Sequence, residues 1–457
     1  MAFTAPFRGL RYNPAKISRL EEVVTPPYDV IDEQAQAAFL AKNRFNMIQL
    51  DLSKDSSASE DASRYEQARD LLEDWQRQEV LIRDAQPTIY LYHIDYTHPS
   101  GRRLTRKGLV ALVRLAEFSE GIVKPHEQTF RGVVTDRLRL LDTCQTQFSQ
   151  IFSLYSDETN EIMNRLENAC PAEPLYSVSD EDGGRHRLWA VSDPEVLPQV
   201  QKLFADRALY IADGHHRYTT ALQLRELMRE RHGTLPEESP YNHAMMYLCS
   251  MQDPGLSVLP THRLVRLPGT TTAAALLERL APCFEVEEVR DGSREIGVAE
   301  TLSRMEEAGE REETVFGLYH PGEDRCFLLS LLPGTMEQVF PGRSRTLLEL
   351  DVVVLSDLVL GRLLDLDHDR CERDKLVDYH SDADLAVDAA VKEAAAGTDS
   401  SPVIFLMNPT PVHQVKQVAD EKQVMPHKST FFYPKILTGL ILNKLDPDEK
   451  VRSLESC

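Results

Sequence analysis

The stretch from Ile211 to Arg217 carries residue types and a spacing that suit anion chemistry. An apolar segment ending at Ile211 predicts a buried strand, Asp213 and Gly214 predict a tight turn, and His215 begins a helix-periodic segment. The start of a helix presents unpaired backbone N–H groups and the positive end of the helix dipole. Gly214 lets an anion approach the backbone, and the guanidinium of Arg217 can donate two hydrogen bonds to the oxygens of that anion. The pattern therefore predicts a phosphate site.

Two other interpretations of this turn compete with the phosphate site. In the first, Asp213 is only an N-cap, and His215 and His216 are surface residues. In the second, the two histidines bind zinc. Adjacent helical residues point about 100° apart, and no HExxH motif or paired Cys/His spacing accompanies them. The sequence leaves the first interpretation open and disfavours the second.

A second polar cluster, Lys124-Pro-His-Glu-Gln128, comes before the glycine turn. The proline restricts the backbone next to His126 and Glu127, which helps to aim one of them at a ligand. A glutamate beside a histidine suits general-base chemistry, with Glu127 as the base. The alternative is a solvated loop without chemistry.

A third polar cluster lies near the end of the chain, in the segment Met425–Lys435. Lys428, Ser429 and Thr430 place an ammonium group and two hydroxyls among aromatic residues, and Lys435 follows. Such a set can hold a phosphate or a carboxylate. The alternative is an exposed strand with lysines at its edge.

The elements that must position these clusters follow from hydrophobic periodicity. The segment 118–136 has a loop-like composition. The helices are expected at 33–42, 62–79, 136–147, 157–168, 194–206, 272–281, 296–308 and 383–395. The strands are expected at 87–98, 104–117, 150–155, 209–211, 244–250, 256–265, 283–289, 314–319 and 325–331.

Composition bounds the class of protein. A chain of 457 residues is too long for one compact core, so two or three domains are expected. The formal net charge of −22 disfavours nucleic-acid binding, which normally needs a basic surface. Seven cysteines without a CxxC pair predict neither a disulfide framework nor structural zinc. With no signal-peptide pattern and no apolar run of membrane-spanning length, we expect a cytoplasmic protein.

Taken together, the three clusters resemble a known family. Their order is similar to that in the ADP-dependent free L-serine kinases of the ParB/sulfiredoxin-like superfamily. The whole chain also resembles DUF1015, a family of unknown function. The landmarks of that resemblance are Thr25–Asp29, Lys124–Gln128, Asp136–Leu138, Leu259–Arg263 and Met425–Lys435.

The resemblance implies a role for each cluster. Glu127 is the base on the acceptor hydroxyl, with His126 beside it. Asp213, Gly214, His215, His216 and Arg217 bind the phosphates of a nucleotide. Asp213 is also the candidate carboxylate for binding a metal or supporting the base, and an N-cap role is equally compatible with it. Lys428, Ser429 and Thr430 lie near the substrate, as do His262 and Arg263. The implied cofactors are Mg²⁺ with ADP or ATP, and the implied partners are a nucleotide and a small amino acid.

The sequence departs from the kinases in three ways. The separation of Glu127 and Asp213 is more than twice that expected for them, and about 110 residues before the first motif have no counterpart. The late segment reads Lys-Ser-Thr where the kinases have Lys-Thr-Thr. The aromatic and hydroxyl groups that would hold serine are not assigned, because Thr261–Arg263 stands where they are expected. These departures leave the acceptor open.

The sequence thus predicts an α/β (α+β) protein with a ParB/sulfiredoxin-like mixed sheet. Its expected divisions are an N-terminal α/β extension over 1–117, a phosphate-binding domain over 118–268 and a second α/β domain over 269–457. The expected function is a nucleotide-dependent kinase that converts free L-serine to O-phosphoserine. Two alternatives stay open: a non-catalytic nucleotide-binding or DNA-associated protein, and a phosphatase in which Glu127 activates water. The phosphoryl donor and the oligomeric state are not determined.

Overall fold

A computed structural model of the chain describes residues 2–52, 61–289, 294–397 and 399–454. Contacts between residues divide it into two compact units. The first unit comprises Met1–Pro125, Thr129–Ser257 and Pro434–Cys457, and the second comprises His126–Gln128 and Val258–Tyr433. His126–Gln128 thus belong to the second unit although the residues on either side of them belong to the first. Pro434–Cys457 belong to the first unit although the residues before them belong to the second.

The strands and helices of the described residues are numbered in chain order. The strands are β1 Thr4–Ala5, β2 Leu10–Tyr12, β3 Leu81–Arg83, β4 Ile89–Thr97, β5 Arg103–Arg114, β6 Val123–Lys124, β7 Thr146–Gln147, β8 Ile151–Tyr155, β9 Tyr176–Ser179, β10 Arg185–Val191, β11 Leu209–Asp213, β12 His243–Ser250, β13 Ser257–Leu259, β14 His262–Pro268, β15 Phe284–Val289, β16 Val315–His320, β17 Arg325–Leu331, β18 Val377–His380, β19 Ser400–Leu406, β20 Phe431–Tyr433 and β21 Asn443–Lys444. The helices are α1 Glu33–Lys42, α2 Ile48–Asp51, α3 Asp61–Arg77, α4 Arg131–Cys144, α5 Glu161–Asn168, α6 Val196–Ala205, α7 His215–His232, α8 Ala273–Leu280, α9 Arg294–Glu310, α10 Thr335–Val339, α11 Arg345–Leu348, α12 Asp351–Val353, α13 His368–Arg373, α14 Ala383–Ala395 and α15 Val412–Asp420, with a π-helix at Val354–Leu363.

The first unit is built on a mixed sheet with the strand order β6-β11-β8-β12-β5-β4-β10-β9, and β1 pairs with β5. The pairs β6–β11 and β8–β12 are parallel, whereas β8–β11 and β5–β12 are antiparallel. All eight residues of β12 are buried, as are the first four of β11. The glycine turn therefore follows a strand inside the sheet, so the backbone that leads into it is held on both sides.

Apolar side chains from α5, α6 and α7 cover one face of this sheet and form its main core. A separate apolar cluster joins the N-terminal strands to α3 and α4 around Trp75, which is 2 % exposed. Helix α4 in turn packs against α7, the helix that follows the glycine turn. Helix α3 therefore packs against α4, and α4 packs against α7, the helix that begins at the glycine turn.

The second unit contains an antiparallel sheet with the strand order β15-β17-β16-β19-β14-β18. Successive residues of β19 face opposite cores: Val403 and Phe405 pack towards the π-helix, and Ile404 and Leu406 pack towards α9 and α14. This is the period of two that a strand requires when both of its faces are covered. The π-helix and the two α-helices thus enclose the sheet.

The expectation of a mixed α/β protein is confirmed, and several helix and strand predictions agree closely with the structure. Helices α1 and α14 occupy the predicted ranges 33–42 and 383–395. The prediction that 118–136 is a loop is wrong in its last part, because α4 already begins at Arg131. No side chain caps α4 at Phe130, whose N–H is instead accepted by His216, a contact that local sequence does not reveal.

Two compositional expectations can be compared with the described residues. Six of the seven cysteines lie in that part of the chain and all six are free thiols, while Cys457 lies outside it. Within the described ranges, no helix combines the length and apolarity needed to cross a membrane.

Candidate functional site

The turn at Gly214 joins the end of β11 directly to the start of α7. Gly214 is the N-cap residue, and its φ of 97° lies in the left-handed region that favours glycine. A Cβ at this position would also lie 2.9 Å from the Cζ of Arg217. The alternative in which Asp213 is the N-cap is therefore wrong, because Asp213 precedes the cap as the last residue of β11.

The Asp213 carboxylate lies between two cations. Lys435 Nζ donates to Asp213 Oδ2 at 2.8 Å, and Arg217 Nη2 donates to Asp213 Oδ1 at 3.3 Å. Burial raises the pKa of Asp213, but the charges of Lys435 and Arg217 outweigh it and hold the net pKa well below the usual range. The carboxylate is thus ionised, and one negative charge faces two positive ones.

The Arg217 guanidinium is fixed in place beside the turn. Its Nη1 donates to the backbone carbonyl of Gln150, and its side chain is 12 % exposed. Burial lowers the pKa of Arg217, but the Asp213 charge and the more distant carboxylates Asp29 and Asp51 raise it above the ordinary value. Arg217 therefore remains a cation at every physiological pH.

The two histidines of the turn have different environments. His215 is 4 % exposed, so the interpretation of both histidines as surface residues is wrong for His215. His216 Nε2 accepts the Phe130 N–H at 3.0 Å, and its ring stacks on the Phe130 ring at 5.7 Å between centroids. A ring nitrogen that accepts a hydrogen bond carries no proton, so His216 links the turn to the start of α4 as a neutral ring in this structure.

A cavity of about 60 Å³ adjoins the guanidinium of Arg217 within the first unit. Tyr28, Asp51 and Arg137 line it together with apolar side chains and several uncharged polar ones. Arg137 Nη1 donates to Asp51 Oδ1 at 3.1 Å, and the Arg137 guanidinium lies 4.4 Å from the centre of the Tyr28 ring. Burial raises the pKa of Asp51, which the charges of Arg137 and Arg217 only partly offset.

Apart from Arg217, the residues that line this cavity were not among the predicted site residues. Tyr28 and Arg137 do fall in two sequence landmarks, Thr25–Asp29 and Asp136–Leu138. The family resemblance therefore pointed to both segments, but it did not indicate a role for Tyr28 or Arg137, because their neighbours in the fold were unknown. The structure places both residues beside Arg217.

In the second unit, the segment His126–Gln128 runs beside the start of the late polar segment. The Met425 N–H donates to the His126 carbonyl at 2.7 Å, and Glu127 forms a parallel bridge with Met425. His126 is fully buried, and its Nε2 lies 3.1 Å from the Thr430 hydroxyl. Two of the predicted clusters therefore meet, with Glu127 half-buried between them.

Ser429 and Lys428 of the late segment form different hydrogen bonds. Ser429 is 2 % exposed, and its hydroxyl donates to the Pro426 carbonyl at 2.5 Å. Lys428 has a φ of 56°, and its carbonyl accepts a hydrogen bond from Arg263 Nη2 at 3.0 Å. Ser429 thus closes the turn, and Lys428 joins the turn to β14.

His262 and Arg263 are neighbours on β14 with different environments. His262 Nδ1 accepts the Met407 N–H at 3.0 Å, and burial lowers its pKa to about 4, so the ring is neutral. Arg263 is 5 % exposed, and its guanidinium lies 4.7 Å from the centre of the Tyr379 ring. Of the pair, Arg263 is the charged group.

The structure thus assembles the predicted residues into two clusters. The turn cluster, in the first unit, comprises Asp213, Gly214, Arg217 and Lys435, with His215 and His216 on the same turn. The His126 cluster, in the second unit, comprises the residues His126, Glu127, Arg263, Lys428, Ser429 and Thr430.

The residues that the structure describes do not form a protein-only site for Mg²⁺. Across the described ranges, no group of three or more His, Cys, Asp or Glu side chains is arranged to hold a metal ion. Asp213 is occupied by Lys435 and Arg217, and Asp51 by Arg137. A magnesium ion bound with a nucleotide is usually held by the phosphates and water with only one or two carboxylates.

Three solved structures align with most of this chain at low sequence identity. A free serine kinase in complex with AMP aligns with 71 % of this chain and 91 % of its own, at 15 % identity and a TM-score of 0.34. A conserved hypothetical protein from Pyrococcus furiosus aligns with 71 % of this chain and 94 % of its own, at 16 % identity and a TM-score of 0.33. A C-terminally truncated SbnI from Staphylococcus aureus aligns with 75 % and 92 %, at 10 % identity and a TM-score of 0.34.

The comparisons by sequence give one family. No curated protein matches the chain. Residues 4–353 match the family described as "Protein of unknown function (DUF1015)", which is more than half of the chain. The chain belongs to the DUF1015 family.

Proposed function

We propose that this protein is a nucleotide-dependent small-molecule kinase that transfers a phosphoryl group to a hydroxyl, with free L-serine as the first acceptor to test. The observation that carries the proposal is the turn cluster: two cations, Arg217 and Lys435, face the single carboxylate of Asp213 beside a glycine that begins an 18-residue helix. The similarity of the sequence motifs to those of the free L-serine kinases supports the same assignment.

The turn cluster suits the phosphate end of the reaction. Phosphoryl transfer requires positioning and positive charge around the transferred group more than covalent help from the protein. The N-terminus of α7 directs its dipole towards the turn, the absence of a side chain at Gly214 leaves room for the Arg217 guanidinium, and the cluster keeps a net positive charge. His215 and His216 complete the proposed nucleotide-binding residues.

The His126 cluster suits the acceptor end. In the proposed reaction the Glu127 carboxylate takes the proton of the acceptor hydroxyl as that oxygen attacks the terminal phosphorus of ADP or ATP. The P–O bond to the leaving nucleotide breaks, and AMP or ADP departs. His126 and Thr430 hold the segment that carries Glu127, while Lys428, Ser429, His262 and Arg263 are the proposed substrate-side residues.

The first experiment is ³¹P NMR of the full chain with Mg²⁺ and L-serine, and with ADP, ATP or pyrophosphate in separate samples. The proposal expects an O-phosphoserine resonance that Glu127→Gln abolishes while calorimetry still detects the nucleotide. Glu337→Gln is the matched control, because Glu337 is exposed on α10. The same spectra identify the phosphoryl donor.

Three outcomes would contradict the proposal. Tight nucleotide binding without transfer to any acceptor would favour a binding protein, and retention on DNA that falls steeply with salt would favour a DNA-associated one. Release of phosphate from phosphoserine without nucleotide would favour a phosphatase. The ParB/sulfiredoxin-like classification, the cytoplasmic location and a role in serine metabolism remain predictions alongside the kinase.

A further inference from the structure

The second unit contains a cavity of about 300 Å³, a volume typical of small-molecule sites. Arg263 and Tyr379 line it on the side of the antiparallel sheet. Four apolar side chains, Phe340, Leu355, Leu360 and Leu366, form a patch on its other walls. The polar side chains among the remaining lining residues are Arg343, Ser356, Asp357, Asp367, His368 and His427. The cavity therefore combines one buried guanidinium with an apolar patch and further polar groups.

The π-helix forms one wall of this cavity. Residues five apart, Leu355 with Leu360 and Ser356 with Gly361, both contribute to that wall. In an α-helix such pairs would point in different directions, whereas the wider π-helical turn brings them to the same face. A rare backbone conformation is thus what shapes this wall, and π-helical segments are frequent at functional sites.

Arg263 is a buried cation without a carboxylate partner in the described part of the chain. Its Nη1 and Nη2 donate to the backbone carbonyls of Thr261 and Lys428, and its guanidinium lies against the Tyr379 ring, but it forms no ion pair. Burial lowers the pKa of Arg263 to about 10, so the charge is retained at neutral pH. A buried charge of this kind is costly unless an anion accompanies it.

The other charges around the cavity determine which anion fits. Arg343 is paired with Asp357, and Asp367 also lines the wall, while the Glu127 charge acts on Arg263 from beyond ion-pair distance. A single unpaired cation among carboxylates matches a monoanion better than a phosphate dianion. The planar fork of a guanidinium also matches the geometry of a carboxylate.

We infer that this cavity binds a small carboxylate with an apolar body, whose carboxylate lies on Arg263 and whose body lies against the π-helix. This binding does not depend on whether the protein is a kinase. That the bound molecule is also the phosphoryl acceptor rests on the proposed kinase function.

The test is isothermal calorimetry on the full chain with four probes. L-3-Phenyllactate carries a carboxylate, a hydroxyl and an apolar ring. L-Lactate lacks the ring, 3-phenyl-1,2-propanediol lacks the carboxylate, and inorganic phosphate tests the other oxyanion. We expect phenyllactate to bind at least ten times more tightly than each of the other three. Equal affinity of phenyllactate and the diol, or tighter binding of phosphate, would overturn the inference.

Two variants locate the binding without relying on one substitution. Arg263→Gln is expected to abolish the preference for phenyllactate over the diol, and Arg345→Gln on the exposed surface is the matched control. Val377→Phe, on the edge strand β18, adds a ring to the cavity and leaves Arg263 unchanged. We expect it to weaken phenyllactate tenfold and L-lactate less than twofold. Unchanged phenyllactate affinity in Val377→Phe would overturn the location.

The same preparation separates this inference from the proposed function. Phenyllactate binding without phosphoryl transfer to any hydroxyl would leave the site standing and refute the kinase. Transfer to L-serine without phenyllactate binding would leave the kinase standing and refute the site.

Discussion

The Lys435 ammonium group lies 2.8 Å from the Asp213 carboxylate, although 222 residues separate them in sequence. The contact lies within the first unit, to which the last segment of the chain returns. Asp213 also accepts a hydrogen bond from Arg217, so the carboxylate holds two cations beside Gly214. This arrangement explains why Asp213 is not free to cap α7 and why the turn carries net positive charge.

Replacing Lys435 tests that arrangement. Lys435→Met leaves Asp213 with Arg217 alone, so the pKa of the carboxyl rises towards its ordinary value. The stabilisation from a lowered carboxyl pKa is fully present above about pH 4 and is lost as the pH falls towards the folded-state pKa. The variant should therefore unfold at a higher pH in an acid titration followed by circular dichroism, and should bind ADP at least tenfold more weakly.

The control for Lys435→Met is Lys202→Met, since Lys202 lies exposed on α6 in the same unit. An acid midpoint that moves equally in both variants would show that the Asp213 contact does not stabilise the fold.

Gly214→Ala separates backbone strain from displacement of Arg217. A left-handed alanine costs about 1–2 kcal/mol, and here its Cβ would also lie 2.9 Å from the Arg217 Cζ. Gly121→Ala is the matched control, because Gly121 also has a left-handed backbone but a Cβ added there would have no neighbouring atom within 4 Å. Urea unfolding should show a larger loss for Gly214→Ala, and ADP binding should fall only in that variant. Equal losses would exclude a role for Arg217 displacement.

Asp351 should make the stability of the chain sensitive to pH near neutrality. Burial raises the pKa of Asp351 to about 7. For a raised carboxyl pKa, the stabilisation is present below about pH 4 and is lost as the pH rises through about 7. Asp351→Asn mimics the protonated form, so its Tm should exceed that of the parent by a few degrees at pH 8 and match it at pH 4. Asp384→Asn, exposed on α14, is the control, and a Tm difference independent of pH would contradict the prediction.

Arg106 is a second buried cation, located on β5 of the first unit. It is fully buried, and none of its three guanidinium nitrogens has a hydrogen-bond partner among the described residues. Its guanidinium lies 4.8 Å from the centre of the Phe152 ring and 5.4 Å from that of Tyr247. Contacts with two rings are worth about 2 kcal/mol each, and the cost of burying an unpaired charge is several kcal/mol larger than one such contact.

Arg106→Met should therefore raise the Tm by several degrees in a thermal scan without ligand. Arg103→Met, on the exposed end of the same strand, is the control and should have little effect. A lower Tm for Arg106→Met would show that the ring contacts outweigh the cost of burial.

Local sequence was sufficient where structure follows from neighbouring residues. The apolar run before Asp213, the glycine and the periodic segment after it predict β11, the turn and α7, because strand and helix periodicities extend over only a few residues. The same holds for α1 and α14. Periodicity does not predict the structure of Val354–Leu363. This segment is a π-helix, whose i→i+5 hydrogen bonding follows neither the helical period of 3.6 residues nor the strand period of 2.

The sequence by itself determined the residue types available for chemistry and the local elements that carry them. Only the tertiary structure decided that Lys435 pairs with Asp213, that Arg137 and Tyr28 border the same cavity as Arg217, and that His126 meets Thr430. These pairs are separated by long stretches of chain, and their proximity depends on how strands pair and cores close. Periodicity encodes which face of each element is buried, but not which distant element will cover it.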